Sequence, residues 1–190
     1  MTKLLVQMSM SLDGYIAGPN PAPQNPLGDH GLHLHEWYES PGDHDFGKDI
    51  EGNTGAVIMG SVMYYESLPW WNGTGPLGDG VPCFVLAEKD RQPEEAAKVF
   101  TFVSDGIEEA LRLAKEAAGD KDVLINGGAN TIQQYIKAGL VDEMYIHIIP
   151  ILLGGGTSLF GALGEYVELE KVSVSDESEV THLTYRFKHV

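Results

Sequence analysis

Short β-rich apolar segments alternate with helix-like stretches along most of this 190-residue chain. Such alternation predicts a largely parallel sheet that helices cover on both faces. The helix-like stretches are residues 62–67, 107–118 and 131–138, and the second has apolar residues at helical spacing with Asp105 available as its cap. The predicted strands are residues 4–10, 56–59, 82–87, 99–103, 123–125 and 143–149.

The end of the chain has a different pattern. Residues 167–174 and 180–187 alternate apolar and polar side chains, which predicts a long antiparallel hairpin. Residues 19–53 are rich in Pro, Gly, His and Asp, and we expect an irregular excursion there with one helix near residues 33–38. The chain is therefore predicted to form one α/β domain over residues 1–190, with a mostly parallel central sheet and a C-terminal antiparallel hairpin.

Composition limits the possible partners. The net charge of −16 argues against nucleic-acid binding, because no basic stripe offsets the acidic surface. Cys83 is the only cysteine, so one chain holds neither a disulfide framework nor a thiolate metal site. No stretch approaches the roughly 18 apolar residues of a membrane span, and the N-terminus is typical of a first strand rather than a signal peptide. We expect a cytoplasmic protein with no membrane partner.

Two glycine clusters, Gly127–Gly128 and Gly154–Gly156, each follow a predicted strand. The first cluster leads into a helix, and a helix N-terminus presents free backbone N–H groups that bind phosphate. Asn130 or Thr131 would add a side-chain donor. A tight turn that needs positive φ explains the first cluster equally well, and it is the better explanation of the second taken alone.

Position in the sheet favours a ligand site. Ligands of open α/β sheets bind beyond the carboxyl ends of the strands, and both glycine clusters, Gly60 and the segment 11–14 follow such ends. We therefore expect them to converge on one cleft. Asp13 is available to bind substrate hydroxyls or amines, although a structural role in the turn before Gly14 is the simpler interpretation.

Two further groups of residues have open interpretations. His33 and His35 have a spacing that suits zinc, but the surrounding segment lacks regular structure, and we expect a solvated loop and no metal site. Aromatic residues in two loop regions either wall a pocket for a flat ring or anchor the loops by burial. These aromatic residues are Trp37, Tyr38, Tyr64, Tyr65, Trp70 and Trp71.

Taken together, the segments resemble the dihydrofolate-reductase-like superfamily. The resemblance is specifically to the reductase domain of riboflavin-biosynthesis deaminase/reductases and its stand-alone relatives. It implies a three-layer dihydrofolate-reductase-like fold and, by analogy, a homodimer. The matching segments, in family order, are residues 4–18, 57–60, 80–86, 125–134 and 139–160.

The resemblance also implies a cofactor and a reaction. NADPH would lie across the strand ends, with its pyrophosphate at residues 127–131 and at the helix after Gly60, and its nicotinamide near Ser11 and Gly154. Asp13 matches the family's substrate-facing carboxylate and is the expected catalytic residue. Hydride would pass from the nicotinamide to an electrophilic carbon while the protein aligns the reactants. The expected cofactor-binding residues are Ser11, Gly60, Ser61, Gly127, Gly128, Ala129, Asn130, Thr131, Gly154 and Gly155.

The chain also departs from the family. Ser61 stands where many relatives carry an Arg, so a fork-shaped cation for phosphate is missing. Glu36 is the candidate for the helix carboxylate that dihydrofolate reductases use. The absence of a deaminase zinc motif excludes that activity. The leading hypothesis is an NAD(P)H-dependent reductase of the 5-amino-6-(5-phosphoribosylamino)uracil reductase type, acting on a small heterocyclic or ribosylamino substrate. The alternatives are a non-catalytic nucleotide-binding protein of the same fold and a dihydrofolate reductase.

Overall fold

The computed structural model describes residues 2–22, 24–39, 44–71, 73–89, 97–161, 163–177 and 179–188. Within these ranges, most of the strands join one central sheet. The strands are β1 (Leu4–Ser11), β2 (Tyr15–Ala17), β3 (Thr54–Gly60), β4 (Cys83–Leu86), β5 (Phe100–Val103), β6 (Asp122–Ile125), β7 (Glu143–Ile149), β8 (Thr157–Ser158), β9 (Leu169–Glu177) and β10 (Val180–Phe187).

Helices cover the sheet on both faces. They are α1 (His44–Asn53), α2 (Ser61–Ser67), α3 (Ile107–Ala118) and α4 (Ala129–Lys137), with 3-10 segments at Gly31–Glu39 and Leu68–Trp70. Among the helices in the described ranges, none has the length and apolar character needed to cross a bilayer.

The central sheet has eight strands within the described residues, in the order β5-β4-β3-β6-β1-β7-β10-β9. The strands from β5 to β7 in this order are parallel. β10 is antiparallel to β7, and β9 is antiparallel to β10. The predicted parallel sheet and terminal hairpin are therefore confirmed. A separate antiparallel pair, β2 with β8, was not predicted, because two or three residues show no readable periodicity.

The alternation within β1 explains why two layers form. Leu4 and Val6 are fully buried in a cluster with residues of α3 and α4, among them Ala114 and Ile132. Leu5 points to the opposite face and packs with residues of α1 and β6. Successive side chains of a strand point to opposite faces, so one strand contributes to both layers. The sheet is consequently buried on both sides, as parallel sheets usually are.

The element bounds agree with the sequence for the most periodic segments and differ elsewhere. Helix α3 has the predicted bounds, but Asp105 is not its cap: Gly106 occupies the N-cap with φ +97 and no side-chain hydrogen bond. Helix α1 lies within the segment predicted to be irregular. Its sequence contains two glycines and scattered charges, and the helix packs through Ile50 against Leu5 and Leu124 of the sheet. Tertiary packing therefore selects a helix that the local pattern does not show.

Candidate functional site

A cavity of about 710 Å³ opens over the carboxyl ends of the parallel strands. This volume lies within the range of about 300–1,000 Å³ that is usual for small-molecule sites. The lining includes two groups of residues that matter for function. The glycine end comprises Gly60, Ser61 and residues 126–131. The polar end comprises Gln7, Ser9, His35, Tyr38, Glu51 and His147.

The glycine end is built around the N-terminus of α4. Gly128 is the N-cap and supplies no side-chain hydrogen bond. The first intrahelical bond at this end is donated by the amide of Ile132 to the carbonyl of Gly128, at 3.2 Å. The N–H groups of residues 129–131 precede that bond and belong to cavity-lining residues. Such groups, together with the helix dipole, attract an anion.

Gly127 and Gly128 meet different requirements. Gly127 has φ +83, a conformation that favours glycine, so it makes the turn between β6 and α4. Gly128 has φ −85, which any residue adopts, and a Cβ built on it meets nothing within 4 Å. Neither the φ angle nor the space around the Cβ therefore requires glycine at position 128. A side chain there would occupy the cavity, as expected where a ligand approaches the backbone closely. The peptide bond between the two glycines is cis.

Gly60 has a packing role. A Cβ at this position would lie 2.6 Å from Thr131 Oγ1, so glycine allows the first turn of α4 to approach the end of β3. Ser61 begins α2 and lines the cavity. On α4, Asn130 Oδ1 accepts a hydrogen bond of 2.6 Å from Gln134 Nε2.

Asp13 connects two loops. Its exposed carboxylate accepts hydrogen bonds from Ser11 Oγ at 2.5 Å and from the amides of Leu153 and Gly154 at 3.1 and 2.7 Å. The hydrogen bond from Ser11, followed by those from Gly154 and Leu153, holds the pKa of Asp13 below its ordinary value. The cavity lining contains none of these residues, nor Gly155. The geometry is that of a carboxylate fastening the turn after β1 to the second glycine cluster.

A chain of hydrogen bonds lies at the polar end. Gln7 Nε2 is 3.3 Å from Tyr38 Oη and 3.1 Å from His147 Nε2, and the Nδ1 atoms of His147 and His182 are 2.7 Å apart. An amide nitrogen only donates, so His147 Nε2 accepts. The proton of His147 is then on Nδ1, from which it is donated to His182. Neighbouring strands supply this network, since Gln7 lies on β1, His147 on β7 and His182 on β10.

Trp37, on the 3-10 segment, packs against the two histidines of this network. Its ring centroid is 4.5 Å from that of His147 and 5.2 Å from that of His182. Its Nε1 donates a 2.9 Å hydrogen bond to Ser9 Oγ. Both partners of this bond are buried, so the tryptophan nitrogen is satisfied without water. The packing fixes the position of the neighbouring Tyr38, whose ring centroid is 4.1 Å away.

Burial keeps the polar end uncharged apart from its carboxylate. Desolvation lowers the pKa of His147 to about 3, and the charges of His182 and His35 act in the same direction. Desolvation also lowers the pKa of His35. It raises the pKa of Tyr38 to about 12, with a further contribution from the charge of Glu51. At neutral pH the two imidazoles are therefore neutral, and Tyr38 retains its proton.

The polar end contains residues that sequence reasoning missed. Gln7 and Ser9 alternate with Met8 and Met10 along β1, and polar side chains at every second position of a buried strand were the available signal. Glu51 gave no signal, because α1 was not predicted. Glu36, the carboxylate singled out from the sequence, is 68% exposed and pairs with His33 at 2.9 Å.

The histidines and aromatic residues singled out from the sequence lie in different surroundings. Some line the cavity, and others are exposed or anchor the loops by burial. His33 is exposed, whereas His35 lines the cavity. Tyr38 lines the cavity as well. Trp71 instead stacks on Phe100, and Tyr64 meets Phe100 edge to face, in a separate core cluster, which is the role of loop anchors.

The structure is an α/β fold with a cavity where the parallel strands end. The sequence profile of the RibD C-terminal domain matches residues 2–183, and the chain belongs to that family. The resemblance to riboflavin-biosynthesis reductases inferred from the sequence is thereby confirmed.

Solved structures show the same fold. A candidate riboflavin biosynthesis protein from Shewanella sp. PV-4 is 27% identical, with a TM-score of 0.78, and the match covers 99% of this chain and 100% of that one. The riboflavin biosynthesis reductase Rib7 of Saccharomyces cerevisiae is 14% identical, with a TM-score of 0.69 and coverage of 98% and 90%. Dihydrofolate reductase from Enterococcus faecalis, complexed with NADP(H), is 20% identical, with a TM-score of 0.63 and coverage of 98% and 97%. The predicted dihydrofolate-reductase-like fold is confirmed.

We predict that His147 stays neutral from pH 7.5 to pH 5, with its proton on Nδ1. Because its folded pKa is depressed, the unfolded chain takes up a proton below pH of about 6.5 that the native protein does not. Stability is therefore lost as the pH falls from about 6.5 towards 3. Nitrogen-15 NMR of the imidazole and urea unfolding at both pH values check this. His147→Gln should reduce the loss of stability between pH 7.5 and pH 5. An imidazole of His147 that gains a proton above pH 5 would contradict the assignment.

We predict that Asp13→Asn lowers the melting temperature at pH 7, because a neutral amide accepts hydrogen bonds less well than the carboxylate. The pKa of Asp13 is depressed in the folded state, so its stabilisation is complete above pH of about 4 and is lost as the pH falls through the folded value. The difference from wild type should therefore shrink at pH 3. Asp120→Asn, in the turn after α3, is the control. An unchanged melting temperature with lost turnover would instead assign Asp13 to catalysis.

Proposed function

We propose that this protein is an NAD(P)H-dependent reductase that transfers hydride to a small heterocyclic or ribosylamino substrate. Membership in the RibD C-terminal domain family supports the reductase class, and Rib7, which shares the fold, is a riboflavin biosynthesis reductase. The single observation that carries the proposal is a glycine in the cavity lining, Gly128. It lines the cavity beside the N-terminus of α4, and neither its φ of −85 nor the space around its Cβ calls for glycine.

The residues of the glycine end fit a dinucleotide. The amides of residues 129–131 would hold the pyrophosphate, and Gly60 and Ser61 line the same part of the cavity. When bound, a reduced nicotinamide cofactor supplies the hydride. The protein's contribution is to hold the donor and the acceptor in contact and to exclude water. Apolar lining residues such as Met8, Met63 and Leu77 serve the second purpose.

The polar end is the proposed substrate pocket. Tyr38 retains its proton and presents a hydroxyl, and both amide hydrogens of Gln7 face protein acceptors. The oxygen of the Gln7 amide is then the group left to accept a hydrogen bond from a ligand. An acceptor and a donor side by side suit the amide-like edge of a heterocycle. We propose that Gln7 and Tyr38 orient the substrate.

The expected nicotinamide position near Ser11 and Gly154 stays a prediction, as does the catalytic role of Asp13. Among the lining residues, Ser9 is the nearest in sequence to Ser11, and Thr157 is the nearest to Gly154. We therefore propose that the reacting end of the cofactor lies between these two residues. This places it next to the polar end.

A non-catalytic nucleotide-binding protein is the second candidate, and the substitution of Ser61 for the family's Arg favours it. Binding with turnover separates the two, because a non-catalytic relative would bind the cofactor without oxidising it in the presence of any substrate.

We also propose, from the resemblance, a cytoplasmic homodimer. Light scattering should give twice the chain mass of 20.7 kDa.

We predict that NADPH or NADH binds the protein and quenches its tryptophan fluorescence, and that Gly128→Val abolishes this binding. A valine side chain would fill the space beside residues 129–131, since nothing lies within 4 Å of a Cβ at Gly128. Loss of thermal stability should be small for the same reason. Gly80→Val is the matched control, because it also has open space around its Cβ but does not line the cavity. Normal binding by Gly128→Val would show that the pyrophosphate lies elsewhere. Absent binding of both cofactors to wild type would remove the reductase proposal.

A further inference from the structure

Within the described part of the chain, the cavity lining includes carboxylates and no lysine or arginine. The carboxylates are those of Glu51 and Glu66. Glu51 belongs to the polar end, where its charge raises the pKa of Tyr38. An enzyme whose substrate carries a phosphate usually provides lysine or arginine for it, because these side chains supply charge-assisted hydrogen bonds.

The sequence explains this shortage of positive charge. Between Lys3 and Lys89, Lys48 is the only lysine or arginine. That stretch supplies every residue of the polar end except His147. Lys48 is exposed on α1 and is not among the lining residues, although Glu51, three positions later, is. The residues that build the substrate pocket thus come from the part of the chain with the fewest cations.

The histidines do not replace the missing cations. His35 and His147 line the polar end, and burial lowers the pKa of both, so they are neutral at pH 7. Protonating His147 would also break its acceptance of the hydrogen bond from Gln7. The described residues of the polar end therefore present dipoles and a carboxylate to a ligand, and none of them is positively charged at pH 7.

Several cations of the chain are engaged away from the cavity. Lys3 and Arg186 both contact Glu143, which begins β7 at the amino edge of the sheet. Arg112 pairs with Glu109 and Glu116 on the surface of α3. The cavity lies at the carboxyl edge, so the ion pairs at Glu143 are separated from it by the length of the strands.

We propose that the polar end takes an unphosphorylated heterocycle, neutral or cationic, in place of a phosphoribosyl substrate. This inference rests on the proposed reductase function and narrows its substrate class. A phosphate dianion in this pocket would be desolvated beside Glu51, and none of the described lining residues is a lysine or an arginine that could balance its charge. A neutral amide edge would instead satisfy Gln7 and Tyr38. The glycine end, with the free amides of α4, takes the anionic part of the cofactor, so the two ends of the cavity differ in the charge that they accept.

A matched pair of ligands tests the proposal. We would measure the affinity of the protein, saturated with oxidised cofactor, for 5-amino-6-ribosylaminouracil and for its 5′-phosphate by calorimetry. The unphosphorylated compound should bind about tenfold tighter or more at low salt, because the phosphate is repelled by a nearby carboxylate. Raising the salt to about 0.5 M should reduce the ratio of the two affinities, because salt screens the part of the charge repulsion that acts through solvent.

Equal or tighter binding of the 5′-phosphate would overturn the proposal, and so would failure of both compounds to bind the cofactor-loaded protein. Either result leaves the reductase proposal standing, because the cofactor still binds. Absence of cofactor binding would instead remove the reductase proposal itself. The two inferences therefore fail in different ways.

Variants show whether Glu51 is the source of the discrimination. Glu51→Gln should narrow the affinity ratio of the two ligands several-fold, because the amide keeps the shape of the side chain and removes its charge. Glu36→Gln, at an exposed carboxylate outside the cavity, should leave the ratio unchanged. An unchanged ratio in Glu51→Gln would contradict the electrostatic origin. If that variant does not fold, the ligand pair and its salt dependence in the wild type decide the question.

Discussion

The parallel pairing of β1 with β6 on one side and β7 on the other is the constraint on which the rest of this structure depends. The register sets Val6 beside Ile125 and Met144, and Ser9 beside His147. Because side chains alternate along a strand, the same pairing places apolar residues under α3 and α4 and polar residues against the opposite layer. A slip of one residue would move Gln7 and Ser9 into the apolar core. The hydrophobic effect that fixes the sheet therefore also places the polar end of the cavity.

Charge is distributed along the same axis. Ion pairs that include Glu143 lie at the amino edge of the sheet, whereas the carboxyl edge combines free helix amides with an uncharged network and Glu51. In a chain with a net charge of −16, an anion gains little from the overall field. Local dipoles are then the available means of holding one, and α4 provides them where Gly127 and Gly128 bring its first turn to the cavity. A dinucleotide and an uncharged substrate together match this division.

The long periodic segments were predictable from the sequence because their own residues determine them. Helix α3 and the strands around it have apolar residues at regular spacing, and the structure has nearly the predicted bounds there. Helix α1 was not predictable, since its stability comes from Ile50 packing on Leu5 and Leu124, which are distant in sequence. Glu51 was missed for the same reason. Gln7 and Ser9 were missed although their alternation with methionines was visible, because the strand was assigned by its apolar residues alone.

Asp13 and Glu51 are two carboxylates near the carboxyl edge of the sheet that differ in their contacts. The resemblance assigns Asp13 to the substrate-facing position, and in the structure its oxygens accept hydrogen bonds from Ser11, Leu153 and Gly154. A carboxylate with these partners is held in place by the protein and stabilises the loop that follows β7. Glu51 has come to the cavity by a different element, α1, and its charge acts on Tyr38. A carboxylate that lines the cavity is therefore present on α1, and its position follows from the packing of that helix on the sheet.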